Sequence, residues 1–273
     1  MEKPCSRGTA GGVELTGAGK LLLEAAKSGY ALIDEAIETV REKEGVTQGN
    51  VRLAAVHTLS YYFTADVLST FLSARPRVNL SLMGRSSSEV VELVESGRAD
   101  IGFVYDSAVA TDELTSFPLF DDEMCLIACQ DNEVGDCIDL TVTPQRLVGF
   151  PQGYALRRML ECGGMRLEFV AEAETIDAML RLVASRVGAC ILPSRMPDNI
   201  ISNCRLKKIR ILRPSMTRRV VAVVRAGRHP TGLIKALLET AIATAPQGTD
   251  QTVPDHLAEG LGPSRSAISQ SDG

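Results

Sequence analysis

An apolar stripe with helical spacing dominates the first part of the chain. Apolar and small residues recur at alternating steps of three and four between Leu15 and Ala36, while the opposite face is densely charged. Thr16 stands where its hydroxyl can cap the first turn. Because small residues along the stripe let two helices approach closely, we expect residues 16–44 to form a linker and dimerisation helix. Packing of this helix against its own globular domain is the alternative.

Beyond this helix, strand-like and helix-like segments alternate. Short apolar runs predict buried strands at residues 51–56 and 99–105, and a further strand is predicted at residues 78–83. The pattern predicts one helix from about Leu59 to just before Pro76. A second helix is opened by Ser86, with Glu89 three residues later, which is the spacing of a capping box. Strands separated by helices of this length predict a parallel sheet with right-handed crossovers.

The later part of the chain continues in shorter pieces. Further apolar runs predict strands at residues 114–120, 124–129, 147–150, 167–173, 189–193, 206–212 and 218–225. Junctions near residues 130 and 215 divide the pattern into two α/β lobes. We expect the first lobe to comprise residues 50–130 plus 216–245, and the second lobe residues 131–215. This organisation predicts a ligand cleft between the lobes, where strands end and helices begin.

Composition narrows the classes of function. The 273 residues are 45% hydrophobic and 23% charged, as in ordinary globular domains. No apolar run approaches the ~18 residues of a membrane span, and the N-terminus lacks the apolar core of a signal peptide, so we expect a cytoplasmic protein without a membrane partner. The net charge of −5 argues against nucleic-acid binding by this chain alone. Residues 246–273 are rich in Pro, Gly, Ser, Asp and Gln, which predicts a disordered tail.

Candidate chemistry for catalysis is sparse. The seven cysteines and three histidines are scattered, without a CxxC or HExxH motif, so we expect reduced thiols, no metal site and no cofactor. The predicted cleft offers no Ser/His/Asp set and no phosphate-binding loop, so we expect no enzyme. His57 is the one tempting base, but its place at the end of a buried strand favours a packed or capping role.

Several stretches, in a consistent order, resemble the LysR-type bacterial transcriptional regulators. Residues 11–26 (GGVELTGAGKLLLEAA) resemble the end of the wing and the start of the linker helix of that family. Residues 49–104 resemble its first effector lobe, in which a Leu-x-x-Gly-x-x-Asp-Ile-Gly run is typical, and this chain has Leu-x-x-x-Gly-x-x-Asp-Ile-Gly at residues 93–102. Residues 174–194 look like the segment of the second lobe that ends in Gly-x-x-x-Leu-Pro. Together the resemblance covers residues 11–242.

The resemblance implies a fold and a function. The fold is an α/β, two-lobed effector domain of the periplasmic-binding-protein-like type 2, preceded by the linker helix, with residues 1–15 as a remnant of the wing. The function is sensing of a small molecule by lobe closure, coupled to a DNA-bound dimer or tetramer. The family's winged helix-turn-helix has no counterpart in this sequence, so we expect promoter contact only through a domain not present in this chain. A cytoplasmic small-molecule binding protein without DNA-binding activity is the alternative.

The resemblance also supplies candidate effector-binding residues. Effector sites of the family use hydroxyls and backbone N–H groups at helix starts, which suit anions, so we expect an anionic metabolite. The matching positions are Thr58, Ser60, Arg85, Ser86, Ser87, Tyr105, Gln152, Gly153, Tyr154 and Thr175. Three of these, Thr58, Ser86 and Thr175, are also good helix caps that need no ligand to explain them.

Redox sensing is the sharper alternative within the family. Its peroxide-sensing members carry a pair of cysteines at the start of the first long helix of the second lobe. In this chain Ala155 stands where the first cysteine would be, and Cys162 is the nearby thiol. We therefore expect a metabolite sensor rather than a thiol sensor.

Overall fold

The computed structural model describes residues 4–9, 12–23, 25–26, 29, 33, 48–162, 165–227 and 232–246. The chain begins with a hairpin of β1 (Ser6–Thr9) and β2 (Gly12–Leu15), after which residues 17–23 are helical. Most of the predicted dimerisation helix over residues 16–44 and nearly all of the predicted tail over residues 246–273 lie outside the described residues. Both stay predictions.

Strands and helices alternate through the rest of the described chain. The strands are β3 (Gln48–Val56), β4 (Arg77–Arg85), β5 (Ile101–Tyr105), β6 (Leu114–Cys129), β7 (Cys137–Asp139), β8 (Gln145–Gly149), β9 (Leu167–Glu172), β10 (Cys190–Pro193), β11 (Leu206–Arg213) and β12 (Thr217–Arg225). The α-helices are α1 (Thr64–Ala74), α2 (Ser87–Glu95), α3 (Ala155–Cys162), α4 (Ile176–Ala184), α5 (Asp198–Asn203) and α6 (Gly232–Thr244). Short 3₁₀ turns occupy His57–Tyr61 and Asp106–Ala108.

The first lobe contains a mixed sheet, in which the predicted parallel arrangement holds for β4, β3 and β5. Its strand order is β4-β3-β5-β12-β6, in which β3 is parallel to both β4 and β5, while β12 is antiparallel to β5 and β6. All five residues of β5 are buried, as expected for a central strand that is covered on both faces. The expected α/β fold is confirmed.

The second lobe grows from the far end of the same long strand. The C-terminal half of β6 pairs antiparallel with β10 and β11, and β11 pairs parallel with β7. The parallel pair β8–β9 stands beside them and is joined through a bridge between Leu147 and Ala189. Strand β6 therefore runs continuously from one sheet into the other.

Two separate apolar cores accompany the two sheets. One is formed by buried residues between Val51 and Phe120, completed by residues between Val220 and Ala245. The other is formed by buried residues between Met124 and Met216. The chain thus crosses between the cores on β6 and again on β12, so these two paired strands are the connection between the lobes.

Two local features of the first lobe follow directly from the sequence. Ser86 and Glu89 form the predicted capping box at the start of α2, each side chain bonding the backbone of the other residue. Gly97 ends this helix region at φ +69°, a conformation that a side chain disfavours, and a Cβ there would lie 2.1 Å from the Arg225 guanidinium. Within the described ranges, no helix is both long and apolar enough to cross a bilayer.

The region after β3 differs from the prediction of one helix starting near Leu59. The chain first makes a 3₁₀ turn over His57–Tyr61, and α1 begins only at Thr64. In this arrangement the hydroxyl of Tyr62 donates to the carboxylate of Asp122 on β6. The bond joins residues 60 positions apart, a tertiary contact that helical periodicity does not reveal.

Candidate functional site

A small pocket lies where the two cores meet. The first lobe contributes the end of β3 with its following turn, the start of α2 and the end of β5, and the second lobe contributes the segment after β8 and the start of α3. The lining residues are Val56, His57, Thr58, Arg85, Ser86, Ser87, Tyr105, Phe150, Tyr154, Ala155, Leu156, Pro193 and Arg218. Any molecule in this pocket would touch both lobes.

The pocket brings together six of the ten predicted effector-binding residues. These are Thr58, Arg85, Ser86, Ser87, Tyr105 and Tyr154. The other four do not line it, and they are Ser60, Gln152, Gly153 and Thr175. Thr175 instead caps α4, where its hydroxyl accepts a hydrogen bond from the Ala178 N–H at 3.3 Å. Gln152 and Gly153 are exposed beside the pocket wall.

The walls of the pocket stand close together. The space between them is about 380 Å³ when gaps open to solvent are included. The centre of a water molecule can move over only about 20 Å³ of that space, which is room for roughly one water. As it stands, the pocket has no room for an organic molecule of several heavy atoms.

Two hydrogen-bond donors at the start of α2 are already used by Glu89, a residue of the same helix. The Ser86 hydroxyl donates to Glu89 Oε2 at 2.6 Å, and the Ser86 N–H donates to the same oxygen at 3.0 Å. These hydrogen bonds hold the pKa of Glu89 below its usual value. Ser87, the first residue of the helix, is buried at the pocket wall. Because Glu89 uses both donors of Ser86, an anion at this helix start depends on other groups.

A buried network of hydroxyls lies behind the pocket. Asp122 is fully buried, and its Oδ2 accepts from Tyr62 and, at 3.2 Å, from Tyr105. The Tyr105 hydroxyl also lies 3.2 Å from Thr58 Oγ1, and since its one proton goes to Asp122, Thr58 donates to it. Burial raises the pKa of Asp122, and burial with the nearby Asp122 charge raises the pKa of Tyr105 to about 12.

The cation at the centre of the site is Arg218 on β12, which sequence reasoning did not select. It is 7% exposed, and its guanidinium carbon lies 3.6 Å from the centre of the Tyr105 ring. Its Nη2 atom is buried and has no hydrogen-bond partner. Burial lowers the pKa of this guanidinium. Among the described residues that line the pocket there is no Asp or Glu, so Arg218 and Arg85 give the pocket a positive character.

His57 lines the pocket at the end of β3 and is half-buried. Burial lowers the pKa of His57, the Glu89 charge opposes that shift, and the Arg85 charge adds to it. A Cβ at Gly84 would lie 3.0 Å from His57 Nδ1, so this glycine leaves room for the imidazole. None of the described hydrogen bonds involves the His57 imidazole, and the packed or capping role stays a prediction.

An aromatic pair forms the wall of the second lobe. The rings of Phe150 and Tyr154 are stacked, with centroids 5.2 Å apart and planes 1° from parallel. Buried Arg157 supports this wall, because its Nη1 donates to the Phe150 carbonyl at 3.4 Å and its guanidinium lies 3.3 Å from the centre of the Phe169 ring. Glu161 and Glu172 pair with Arg157 at 2.6 and 3.3 Å. Stacking limits how the two rings can move, and the contacts of Arg157 hold this wall against Phe169.

A wider groove adjoins the pocket and shares Ala155 and Arg218 with it. Water centres can occupy about 550 Å³ of this outer groove, which is far more open than the pocket. Its polar lining includes Arg158 and the ion pair between Arg219 and Asp121. Across the described part of the chain, no cluster of His, Cys, Asp and Glu could hold a metal ion.

Fold and pocket together define a two-lobed ligand-binding domain. Residues 44–246 match the family model of the LysR substrate binding domain, and the chain belongs to this family. Sequence relatives include the HTH-type transcriptional regulator YofA of Bacillus subtilis, 25% identical over 191 residues, which cover 68% of this chain and 65% of that protein. The malonate utilization transcriptional regulator of Klebsiella pneumoniae is 25% identical over 219 residues, covering 74% of this chain and 68% of that protein. The chain therefore spans about two thirds of the length of these relatives.

A solved structure agrees with the fold. The effector binding domain of QuiR, in complex with shikimate, superposes with a TM-score of 0.65 at 16% sequence identity. The match covers 72% of this chain and 97% of that chain. At this level of identity the likeness concerns the fold, which is the LysR effector-binding fold.

Proposed function

We propose that this chain is the effector-binding part of a LysR-type transcriptional regulator, in which a small molecule binds between the lobes and changes their relative position. The observation that carries the proposal is the pocket lined by residues from both cores. A ligand shifts an equilibrium only when its affinity differs between the two arrangements. A molecule that contacts both lobes meets that condition, since opening the lobes breaks its contacts with one of them.

The signal then passes to promoter DNA through a helix-turn-helix domain of the kind named for the Bacillus relative. The net charge of −5 on these 273 residues supports a division of labour in which another domain makes the phosphate contacts. Self-association through residues 16–44, as a dimer or tetramer in the cytoplasm, would let lobe movement reach two DNA-binding domains at once. The effector itself is anionic, which is supported by the two arginines that line the pocket and by the absence of Asp and Glu among its described lining residues.

A thermal-shift screen tests effector binding. Small carboxylates, phosphates, sugars and amino acids are added to the full chain, and a ligand is expected to raise Tm by the mass-action stabilisation of the folded state. Ala155→Leu, at the pocket wall, should abolish the shift by filling the pocket, whereas Ala178→Leu, exposed near the start of α4, should leave it unchanged. Equal shifts in both variants would place the ligand elsewhere and contradict the proposal.

Sedimentation velocity tests self-association. Leu22 is 60% exposed on the apolar stripe, so Leu22→Glu should convert an oligomer into a monomer by placing a charge in the helix interface. Lys20→Glu, on the charged face of the same segment, is the matched control and should sediment like the unmodified chain. A chain that is monomeric at all concentrations would exclude the dimerisation role of residues 16–44.

A further inference from the structure

We infer that the effector is an organic acid with one carboxylate and an apolar body, and that Arg218 binds the carboxylate. The inference rests on the proposed function, since it names the chemical class of molecule that the pocket between the lobes takes. It also assigns a specificity-determining role to a residue of β12.

Arg218 is a buried cation with one donor atom that lacks an acceptor among the described residues. The residue is 7% exposed, and the atom that lacks the acceptor is Nη2. Tyr105 covers one face of the guanidinium at 3.6 Å, so the donors at its edge are the groups left to make contacts. Removing a guanidinium N–H from water without replacing its hydrogen bond is costly. A carboxylate in the pocket would supply the acceptor in a charge-assisted bond.

The nearest protein carboxylate does not serve this purpose. Asp122 lies directly opposite Arg218 in the pairing of β6 with β12. Its Oδ2 accepts from Tyr62 and Tyr105, and its Oδ1 lies 3.7 Å from Arg195 Nε. Within the described structure neither Asp122 oxygen bonds Arg218, so the two charges attract each other without direct contact, and Asp122 Oδ1 and Arg218 Nη2 both lack a hydrogen-bond partner.

The other predicted anion contacts are engaged elsewhere. The Ser86 hydroxyl donates to Glu89, and the Thr58 hydroxyl donates to Tyr105. Arg85 is exposed and donates to the Gly84 carbonyl at 2.7 Å. Arg218 is thus the lining residue with a buried donor that is free for a ligand, with the start of α2 at Ser87 beside it as a secondary contribution.

The remaining walls of the pocket determine the chemical character of the rest of the ligand. They are mostly hydrocarbon, provided by Val56, Phe150, Ala155, Leu156 and Pro193, with the ring of Tyr154 stacked beside them. A second carboxylate on the ligand would face this apolar surface, approach the Glu89 carboxylate that caps α2, or reach Arg85 at the exposed rim, where solvent weakens an ion pair. Burying an unpaired charge there is unfavourable, so the pocket favours a single negative group.

The small volume of the pocket allows another explanation for the unpaired Arg218 donor. The pocket has room for roughly one water, and such a water could satisfy Arg218 Nη2 by itself. In that case Arg218 would be a structural residue and would not select among ligands. Binding of an organic acid instead requires the lobes to part and a carboxylate to take the place of that water.

Isothermal titration of the full chain with benzoate, benzamide and succinate separates these cases. Benzoate and benzamide share one apolar ring and differ in charge, whereas succinate carries two carboxylates on a short chain. We expect benzoate to bind at least tenfold more tightly than either of the others. Equal affinity for benzoate and benzamide would overturn the assignment of an acid, and tighter binding of succinate would overturn the single-carboxylate class.

Variants of Arg218 then test its role in binding the carboxylate. Arg218→Met keeps the hydrophobic stem and should weaken benzoate binding at least tenfold, so that benzoate and benzamide bind alike. Arg218→Lys keeps the charge and should restore part of the affinity, which guards against loss of fold in the methionine variant. Arg158→Met, in the outer groove only, is the matched control and should bind benzoate like the unmodified chain. Loss of binding in the Arg158 variant with retention in both Arg218 variants would place the acid in the outer groove and overturn the inference.

Failure of the inference is distinguishable from failure of the proposed function. If benzoate does not bind but another compound raises Tm and is blocked by Ala155→Leu, the regulator proposal stands and the chemical class is wrong. If no compound stabilises the chain through the pocket, both fail.

Discussion

Asp122 and Arg218 lie opposite each other in the pairing of β6 with β12, yet the described structure contains no ion pair between their side chains. Each side chain turns to aromatic partners instead, since Asp122 accepts from two tyrosine hydroxyls and Arg218 lies over the Tyr105 ring. Both strands cross between the lobes at this point. The crossing therefore contains a buried carboxylate and a buried guanidinium, and one atom of each, Asp122 Oδ1 and Arg218 Nη2, has no hydrogen-bond partner among the described residues.

Removing the acid at the crossing should destabilise the fold. Asp122→Ala deprives the Tyr62 hydroxyl of its acceptor and leaves two arginines without a counter-charge, so we expect the free energy of unfolding to fall by about 2–4 kcal/mol. Asp122→Asn keeps an acceptor and should cost about 1 kcal/mol or less. Urea denaturation of both variants at pH 7 measures the difference. Equal losses in the two variants would show that the hydrogen bonds to Asp122 contribute little.

The sequence predicted the strands on either side of Asp122 but separated them. Residues 121–123 are three consecutive acids, which resemble a loop, whereas the structure has one strand from Leu114 to Cys129. The alternation of burial continues through the acids, with Asp121 exposed, Asp122 buried and Glu123 exposed. Burial of an acid in a strand depends on partners such as Tyr62 that are distant in the chain, so local composition could not reveal it.

The candidate site was predictable where it depends on local chemistry. Hydroxyl residues at helix starts are visible in sequence, and Ser86, Ser87 and Thr58 do line the pocket. Thr175 has the same local signature but caps a helix away from it, because a cap does not specify which side of the helix start faces the cleft. Arg218 was not predicted as a site residue because it lies within a strand. It is two positions from the buried residue Val220, so it has the same parity in the alternation of the strand and lies on the same face. That parity was the available signal.

The pH dependence of stability should include a contribution from His57. Burial lowers the pKa of His57 in the folded state, so the unfolded chain binds its proton more readily. The contribution to stability is therefore present above the usual value of 6.5 and is lost as pH falls through the lowered pKa. We expect the free energy of unfolding to decline less between pH 7 and pH 5 in His57→Gln than in the unmodified chain.

The pH experiment needs a control histidine that does not line the pocket. His256→Gln, in the predicted disordered tail, makes the same chemical change and should leave the slope unaltered. Urea denaturation at a series of pH values supplies the slopes. A His57→Gln variant with the slope of the unmodified chain would mean that His57 has the same pKa folded and unfolded.

Replacing Arg157 should lower the free energy of unfolding, because this residue supports the aromatic wall of the pocket. Its side chain is buried and contacts Phe169 and the Phe150 carbonyl, while Glu161 and Glu172 pair with it from partly exposed positions. Arg157→Met keeps the stem but removes the charge and its hydrogen bonds, so we expect a loss of about 1–3 kcal/mol in the free energy of unfolding. Arg158→Met, one residue later and exposed, should change it by less than about 0.5 kcal/mol. Similar losses at both positions would indicate a general effect on α3.

The thiols should divide into accessible and protected groups under native conditions. Burial raises the pKa of Cys125 to about 12, and burial also raises the pKa of Cys190, so neither thiol forms a thiolate readily. Cys137 and Cys162 are exposed, and we expect iodoacetamide to alkylate both in native protein within minutes. Peptide mass spectrometry after timed quenching measures the extent at each site.

Alkylation in urea supplies the control for this last prediction, because all seven thiols should then react at similar rates. Protection of Cys125 and Cys190 should disappear together with the unfolding transition, since both belong to the core of the second lobe. Rapid native labelling of Cys190, which pairs within the sheet opposite Ile127, would show that β10 leaves β6 readily. That result would contradict the fixed core on which the wall of the pocket depends, since Pro193 at the end of the same strand lines the pocket.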